Sequence, residues 1–120
     1  MLPKRLRISK AATDNLKVLK SRTGLTPNLV CRMALLLSLE EGPAGGQRPV
    51  PELGSEFNAP TLFGEFAFLF ESLLRQVHGQ LDPKDCVPVI IGHIDNGLEQ
   101  LRKSRSLTDL LQHSGLVIAT

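Results

Sequence analysis

The chain of 120 residues has no Trp and no Tyr, and its five Phe all fall between Phe57 and Phe70. Its N-terminal segment, which is strongly basic, therefore carries no aromatic ring. That argues against a single-strand or RNA reader built on stacking platforms. There are only two cysteines, Cys31 and Cys86. Two are too few for a disulfide framework, and neither has a Cys or His partner at metal-ligand spacing. Both are expected to be small buried apolar groups in a reducing compartment. Long hydrophobic runs are missing too. The most apolar stretch, Leu29 to Leu39, contains Arg32 and is far shorter than a membrane span, and no apolar run follows the basic N-terminus as in a signal peptide. A soluble, cytoplasmic chain with no membrane partner is expected.

Enzyme fingerprints are equally scarce. There is no Gly-x-Ser-x-Gly, no Walker loop and no dinucleotide fingerprint. Gly42 to Arg48 is Gly-rich but lacks the Lys-Ser/Thr that would hold phosphate and magnesium, so it reads as a linker. His93 and Asp95 stand two apart, while His78 and His113 stand alone. No pair has the i, i+4 spacing of a helical zinc site, and helix ends or ordinary surface account for all three histidines. Asp95, Glu99 and Lys103 read as a solvated ion-pair row, and Glu71 with Arg75 as a similar surface pair. No catalytic residue, metal or cofactor is expected. A small enzyme using Cys86 or His93 is the reading that would contradict this.

What the chain does have is a cluster of cations. Seven of its fourteen Lys and Arg lie in the first 22 residues: Lys4, Arg5, Arg7, Lys10, Lys17, Lys20 and Arg22. Asp14 is the one acid among them, so this segment carries +6. The whole chain carries +2, which leaves −4 for residues 23–120. A core does not need such asymmetry. A surface that meets a polyanion does, because each cation laid on a phosphate releases condensed counterions. Solubility of an amphipathic N-terminal segment is the competing explanation.

Residues 4–9 alternate. Leu6 and Ile8 share one face, with Arg5, Arg7 and Ser9 on the other, which is the period of a half-buried strand. A lone strand must pair, and a copy from another subunit is one partner open to it. Ser9 can cap a helix to about Ser21, with Ala12, Leu16 and Leu19 as its stripe and Gly24 as its stop. Thr26 and Pro27 open a second helix running to about Glu41, with Leu25 and Val30 spaced as a hydrophobic staple. This helix is so apolar that burial all round is expected, by the chain itself or by another subunit.

Residues 42–60 hold four Pro and four Gly and read as a loop. Glu65 to His78 reads as a third helix ended by Gly79, and about Val89 to Ser104 as a fourth striped by Ile90, Ile94, Leu98 and Leu101. Gly92 and Gly97 weaken that fourth assignment. Ser106 to Asp109 looks like a capping-box start for a short last helix. The apolar tail Leu116 to Ala119 could dock on the core. The expected fold class is therefore mainly α and oligomeric, in one domain: a ribbon-helix-helix-like strand and two helices (1–41), a Pro/Gly-rich loop (42–60), and two to three further helices (61–120).

In the ribbon-helix-helix arrangement two strands pair as an antiparallel ribbon whose outward residues, here Arg5 and Arg7, enter the major groove. The start of the second helix, Thr26 to Leu29, would offer N–H groups to a phosphate. A sequence-specific transcriptional regulator of this kind is the alternative function.

Three passages also carry a family resemblance: Leu2-Pro-Lys-Arg-Leu-Arg-Ile-Ser9, Leu16 to Thr23 leading into Gly24-Leu-Thr-Pro-Asn28, and Asn58-Ala-Pro-Thr-Leu-Phe-Gly-Glu65. With Leu73-Leu-Arg-Gln76 and the matching length, the chain resembles the DNA sulfur modification protein DndE family of bacterial phosphorothioation systems. The last of the three passages is the most telling. The resemblance implies a non-catalytic member of a multi-protein DNA-modifying machine, a homotetramer that binds double-stranded DNA with a preference for nicked duplex. Its partners would be the other proteins of the sulfur modification machinery, and the DNA-binding residues would be the seven N-terminal cations. Ribbon-helix-helix modules are short, whereas this chain continues well past residue 41. The added helices can cover the strand or move the DNA surface onto the first helix, which makes phosphate contact by Lys10, Lys17 and Lys20 the central expectation.

Overall fold

Strand β1 (Arg5–Ser9) turns Leu6 and Ile8 into the core, where they are 1% and 0% exposed, and leaves Arg5 and Arg7 outside. In this computed structural model, which describes residues 2–47 and 53–113, its partner belongs to the same chain. Strand β2 (Leu53–Asn58) lies antiparallel to it, with Arg5 opposite Asn58, Leu6 opposite Phe57 and Arg7 opposite Glu56. This corrects two expectations. The strand pairs within its own chain, and the stretch read as loop contains a strand. Residues 53–58 show no apolar alternation, so only the pairing itself reveals them. Ser9 departs from the strand period as well. An irregularity between Arg7 and Ser9 turns it inward, to 4% exposure.

Helix α1 (Lys10–Thr23) follows directly. Ser9 Oγ accepts the Ala12 N–H at 2.9 Å, and the same hydroxyl donates to Asp95 Oδ1 at 2.6 Å. One residue thus starts a helix and ties it to a distant one. Ala12, Leu16 and Leu19 are buried as expected. The helix runs two residues past Ser21 and ends at Gly24, whose φ of 77° is the left-handed conformation that favours glycine. Helix α2 (Pro27–Glu40) opens with Thr26 Oγ1 accepting from the Leu29 N–H and Pro27 in its first turn. Its burial is not complete around the circumference, because Leu29 and Leu36 remain 40% and 41% exposed.

After α2, a 310 turn at Pro43–Gly46 packs Gly45 and Gly46 into the protein. Helix α3 (Ala59–Phe63) is capped by Asn58, whose Oδ1 accepts the Thr61 N–H at 3.0 Å. It buries Leu62 and Phe63. A second 310 turn at Gly64–Phe66 leads into α4 (Ala67–His78), which buries Phe70 and Leu74 and ends at Gly79. The expected helix from Glu65 thus begins as a 310 turn and becomes α-helical from Ala67. Helix α5 (Pro83–Leu101) starts six residues before the expected Val89, with Pro83 in its first turn, and tolerates Pro88 inside it. Helix α6 (Leu107–His113) starts at the expected capping group. The Asp109 N–H donates to Ser106 Oγ and the Asp109 carboxylate accepts from the Arg105 N–H. The apolar tail Leu116 to Ala119 lies outside the described residues.

The core is a single cluster with α5 at its centre, packed on α2, α1 and β1. The two glycines that weaken α5 as an isolated helix are its contact points. A Cβ at Gly97 would stand 2.0 Å from the Ala34 carbonyl oxygen, and one at Gly92 would stand 2.5 Å from the Gly46 oxygen. The backbone approach of α5 to α2 and to the first 310 turn therefore requires glycine at both positions.

Candidate nucleic-acid interface

The seven N-terminal cations separate into two groups. Arg5 Nη1 and Arg7 Nη2 both reach the Glu56 carboxylate, at 3.4 and 3.3 Å. Arg22 Nη1 donates to the backbone oxygens of Arg102 and Ser104, at 3.3 and 3.4 Å, just beyond the end of α5. The guanidinium groups are thus engaged within the chain. The four lysines differ. Lys4, Lys10, Lys17 and Lys20 are all exposed, and none has an ion pair among the described residues. Lys10, Lys17 and Lys20 stand on α1. Spacing of i, i+7 puts Lys10 and Lys17 on one side of the helix, with Lys20 a turn further and slightly round it.

The lysine face adjoins a groove of about 220 Å³ between α1, the start of α2 and β2. Thr13, Lys17, Lys20, Pro27, Ser55 and Phe57 line it. Phe57 reaches this place because it lies opposite Leu6 on the paired strand. In the sequence the basic helix has no aromatic neighbour. The pairing of β2 with β1 supplies one from a segment taken for loop, and no local signal could have shown it. Glu56 was missed for the same reason.

The start of α2 offers less to a phosphate than expected. Pro27 has no N–H, the Leu29 N–H is bonded to Thr26 Oγ1, and the Val30 N–H is bonded to the Thr26 oxygen. Among the described residues, the N–H groups of Thr26 and Asn28 are left at this end.

In the sequence Arg32 only interrupts an apolar run. Its Nε donates to the Leu62 oxygen and its Nη2 to the Thr61 oxygen, and its guanidinium lies 5.7 Å from the centre of the Phe66 ring. Gly64, at φ 55°, leaves room for it, since a Cβ there would meet Arg32 Nη2 at 2.8 Å. The Asn58 to Glu65 passage thus has a physical content: a helix cap, two core residues and a glycine that admits an arginine from α2.

Two histidines stand at helix ends as expected, His78 half-buried at the end of α4 and His113 exposed at the end of α6, but the third is not ordinary surface. His93 is 0% exposed. Asn96 Nδ2 donates to Ser38 Oγ at 2.9 Å, which leaves the hydroxyl hydrogen for His93 Nδ1 at 2.7 Å. His93 Nε2 then donates to His78 Nε2, also at 2.7 Å. Burial, and secondarily the neighbouring His78, push the His93 pKa down to about 4, against a smaller opposing effect of Glu41. Burial lowers His78 as well. Glu41 lies at the other end of this chain of bonds, near Asn96 and Gln100. No group of three or more metal-ligating side chains forms among the described residues.

Asp95, expected in an ion-pair row, accepts from Ser9. Glu99 pairs with Arg102 at 3.1 Å rather than with Lys103, because α5 ends before residue 103. Glu71 Oε1 accepts from the Leu2 N–H at 3.1 Å. His113 Nδ1 shares a hydrogen bond with Ser104 Oγ. Cys31 and Cys86 are 1% and 5% exposed. Burial pushes the Cys31 thiol up to about 12 and raises that of Cys86. No helix among the described residues is long and apolar enough to cross a membrane.

These features define a small, mainly helical protein with one two-stranded antiparallel sheet and an exposed, lysine-bearing first helix. Residues 5–109 match the family model of the DNA sulphur modification protein DndE, and the chain belongs to that family. Its fold is similar to the crystal structure of DndE from Escherichia coli B7A, involved in DNA phosphorothioation modification. The TM-score is 0.69 and the identity 29%, over 82% of this chain and 97% of that one. A mutant of DndE involved in DNA phosphorothioation, in which two glycines are replaced by lysine, is similar at TM-score 0.67 and 27% identity over the same shares. No match was found among curated protein sequences.

Proposed function

We propose that this protein is a non-catalytic, cytoplasmic component of a DNA phosphorothioation system that holds duplex DNA, nicked duplex above all, by its sugar-phosphate backbone. The observation that carries this reading is the row of Lys10, Lys17 and Lys20, exposed on α1 and without counter-ions among the described residues. Family membership supports it by joining the chain to DNA sulfur modification. A homotetramer would multiply the lysine surface four times. The exposed Leu29 and Leu36 of α2, with Phe66, Phe68 and Leu69 at 42–76% exposure, support such assembly. Other proteins of the machinery would be its further partners.

The regulator reading is less well supported. It needs Arg5 and Arg7 free to read base edges, and both are held against Glu56 on a strand already paired within the chain. Burial of His93 and Cys86 likewise favours a binding role over an enzyme built on either.

Electrophoretic shifts of intact, nicked and single-stranded DNA at several salt concentrations test the proposal. If about six phosphates are neutralised, the log–log salt slope is expected near −5. Lys17→Glu combined with Lys20→Glu should weaken duplex binding at least tenfold while leaving the far-ultraviolet circular dichroism unchanged. Wild-type affinity in that double variant would refute the site.

A further inference from the structure

The groove beside α1 combines groups that a grip on paired phosphates alone does not need. Phe57 is half-buried in its wall, Lys17 and Lys20 stand at its lip, and Leu16 and Pro27 make the rest largely apolar. The Thr13 hydroxyl is already committed, donating to the Ser9 oxygen and accepting the Ser55 N–H. The Ser55 side chain, exposed at the same groove, has no hydrogen-bond partner among the described residues. An aromatic ring, two cations and a free hydroxyl in one groove match a flat heterocycle joined to phosphates. In a fully paired duplex both faces of each base are covered by stacking, so Phe57 has nothing to receive there. An acidic peptide would satisfy the lysines but leave the ring unused.

We propose that this groove binds one unpaired nucleobase of a DNA strand, with the base against Phe57 and the flanking phosphates on Lys17 and Lys20. The proposal rests on the DNA-binding reading above and adds to it the structure of the preferred DNA. Every base has a π-face, so the site discriminates unpaired from paired rather than one base from another. Lysine, a mobile point charge, suits phosphates whose positions vary at a distorted site.

Three DNAs test it by fluorescence anisotropy at one fixed salt concentration: a fully paired duplex, the same duplex with one extra unpaired adenosine, and that duplex with an abasic residue in place of the extra nucleotide. The abasic form keeps the backbone distortion and removes the base. The wild-type protein should bind the unpaired adenosine about tenfold more tightly than either of the others, within the range that base–aromatic stacking supplies. Phe57→Leu keeps an apolar group against Leu6 but loses the flat face. It should equalise the three affinities without weakening the paired duplex, and Phe57→Tyr should preserve the preference. Equal wild-type binding of the adenosine and abasic forms overturns the base site and leaves backbone binding intact. That comparison needs no variant, so it decides the matter even if Phe57→Leu fails to fold. No wild-type binding to any of the three overturns both readings.

Discussion

Both guanidinium groups of β1 reach one carboxylate, Arg5 at 3.4 Å and Arg7 at 3.3 Å from Glu56, and all three side chains are well exposed. Exposed pairs of this kind are worth roughly 0–1 kcal/mol. Glu56 therefore weakens the cations as DNA ligands without removing them. Glu56→Gln is expected to raise duplex affinity severalfold at low salt and to steepen the salt slope, as anisotropy titrations would show. An unchanged slope would place β1 outside the DNA surface. His93 makes a different residue-scale prediction. Its folded-state pKa, about 4, lies below its ordinary 6.5. Below pH 6.5 the unfolded chain therefore takes up a proton that the folded chain refuses. This contribution is complete above pH 6.5 and is lost as pH falls towards 4, by on the order of 1–2 kcal/mol between pH 7 and pH 5. Urea unfolding at those two pH values should show the loss, and His93→Gln should reduce the difference between them.

At the scale of elements, propensity and packing give opposite signs at Gly97. In an isolated helix Ala is better than Gly by about 1 kcal/mol. Here an added Cβ would lie 2.0 Å from the Ala34 oxygen, a backbone atom that cannot swing away. Overpacking in a core costs about 1–3 kcal/mol, and more where backbone must move. Gly97→Ala is therefore expected to destabilise the protein by about 2 kcal/mol net, measured as a lower denaturant midpoint. A stabilised variant would mean that α5 and α2 do not approach as closely as described. The same contact explains why a helix with two glycines holds the centre of the core.

At the scale of the whole molecule, α2 and α4 both leave apolar surface uncovered among the described residues. Leu29 and Leu36 share an exposed side seven residues apart, with Arg32 between them over Phe66. If that side is an interface between copies, light scattering should give about four times the chain mass of 13.1 kDa. Leu29→Glu with Leu36→Glu should then lower the assembled mass and flatten the salt dependence of DNA binding together, since fewer lysines would act at once. A monomeric wild-type protein with full DNA affinity would refute the link between assembly and binding.

Much of this architecture was written locally. Ser9, Gly24, Thr26, Pro27, Gly79 and Ser106 start or stop helices through groups within a few residues, so the order of helices and the apolar stripes of α1 and α5 were legible in the chain. The cation cluster and the Asn58 to Glu65 passage were legible too, because they are matters of composition and motif. Only the tertiary structure decided which cations are engaged. The pairing of β2 with β1 is a contact between segments far apart in the chain, and no periodicity announces it. That pairing brought Glu56 to Arg5 and Arg7 and set Phe57 beside Lys17 and Lys20. Burial of His93 against Ser38 and His78 arose in the same way, from helices meeting across the core. Caps and stripes depend on neighbours in sequence, whereas partners across a sheet or a helix crossing exist only once the chain has closed on itself.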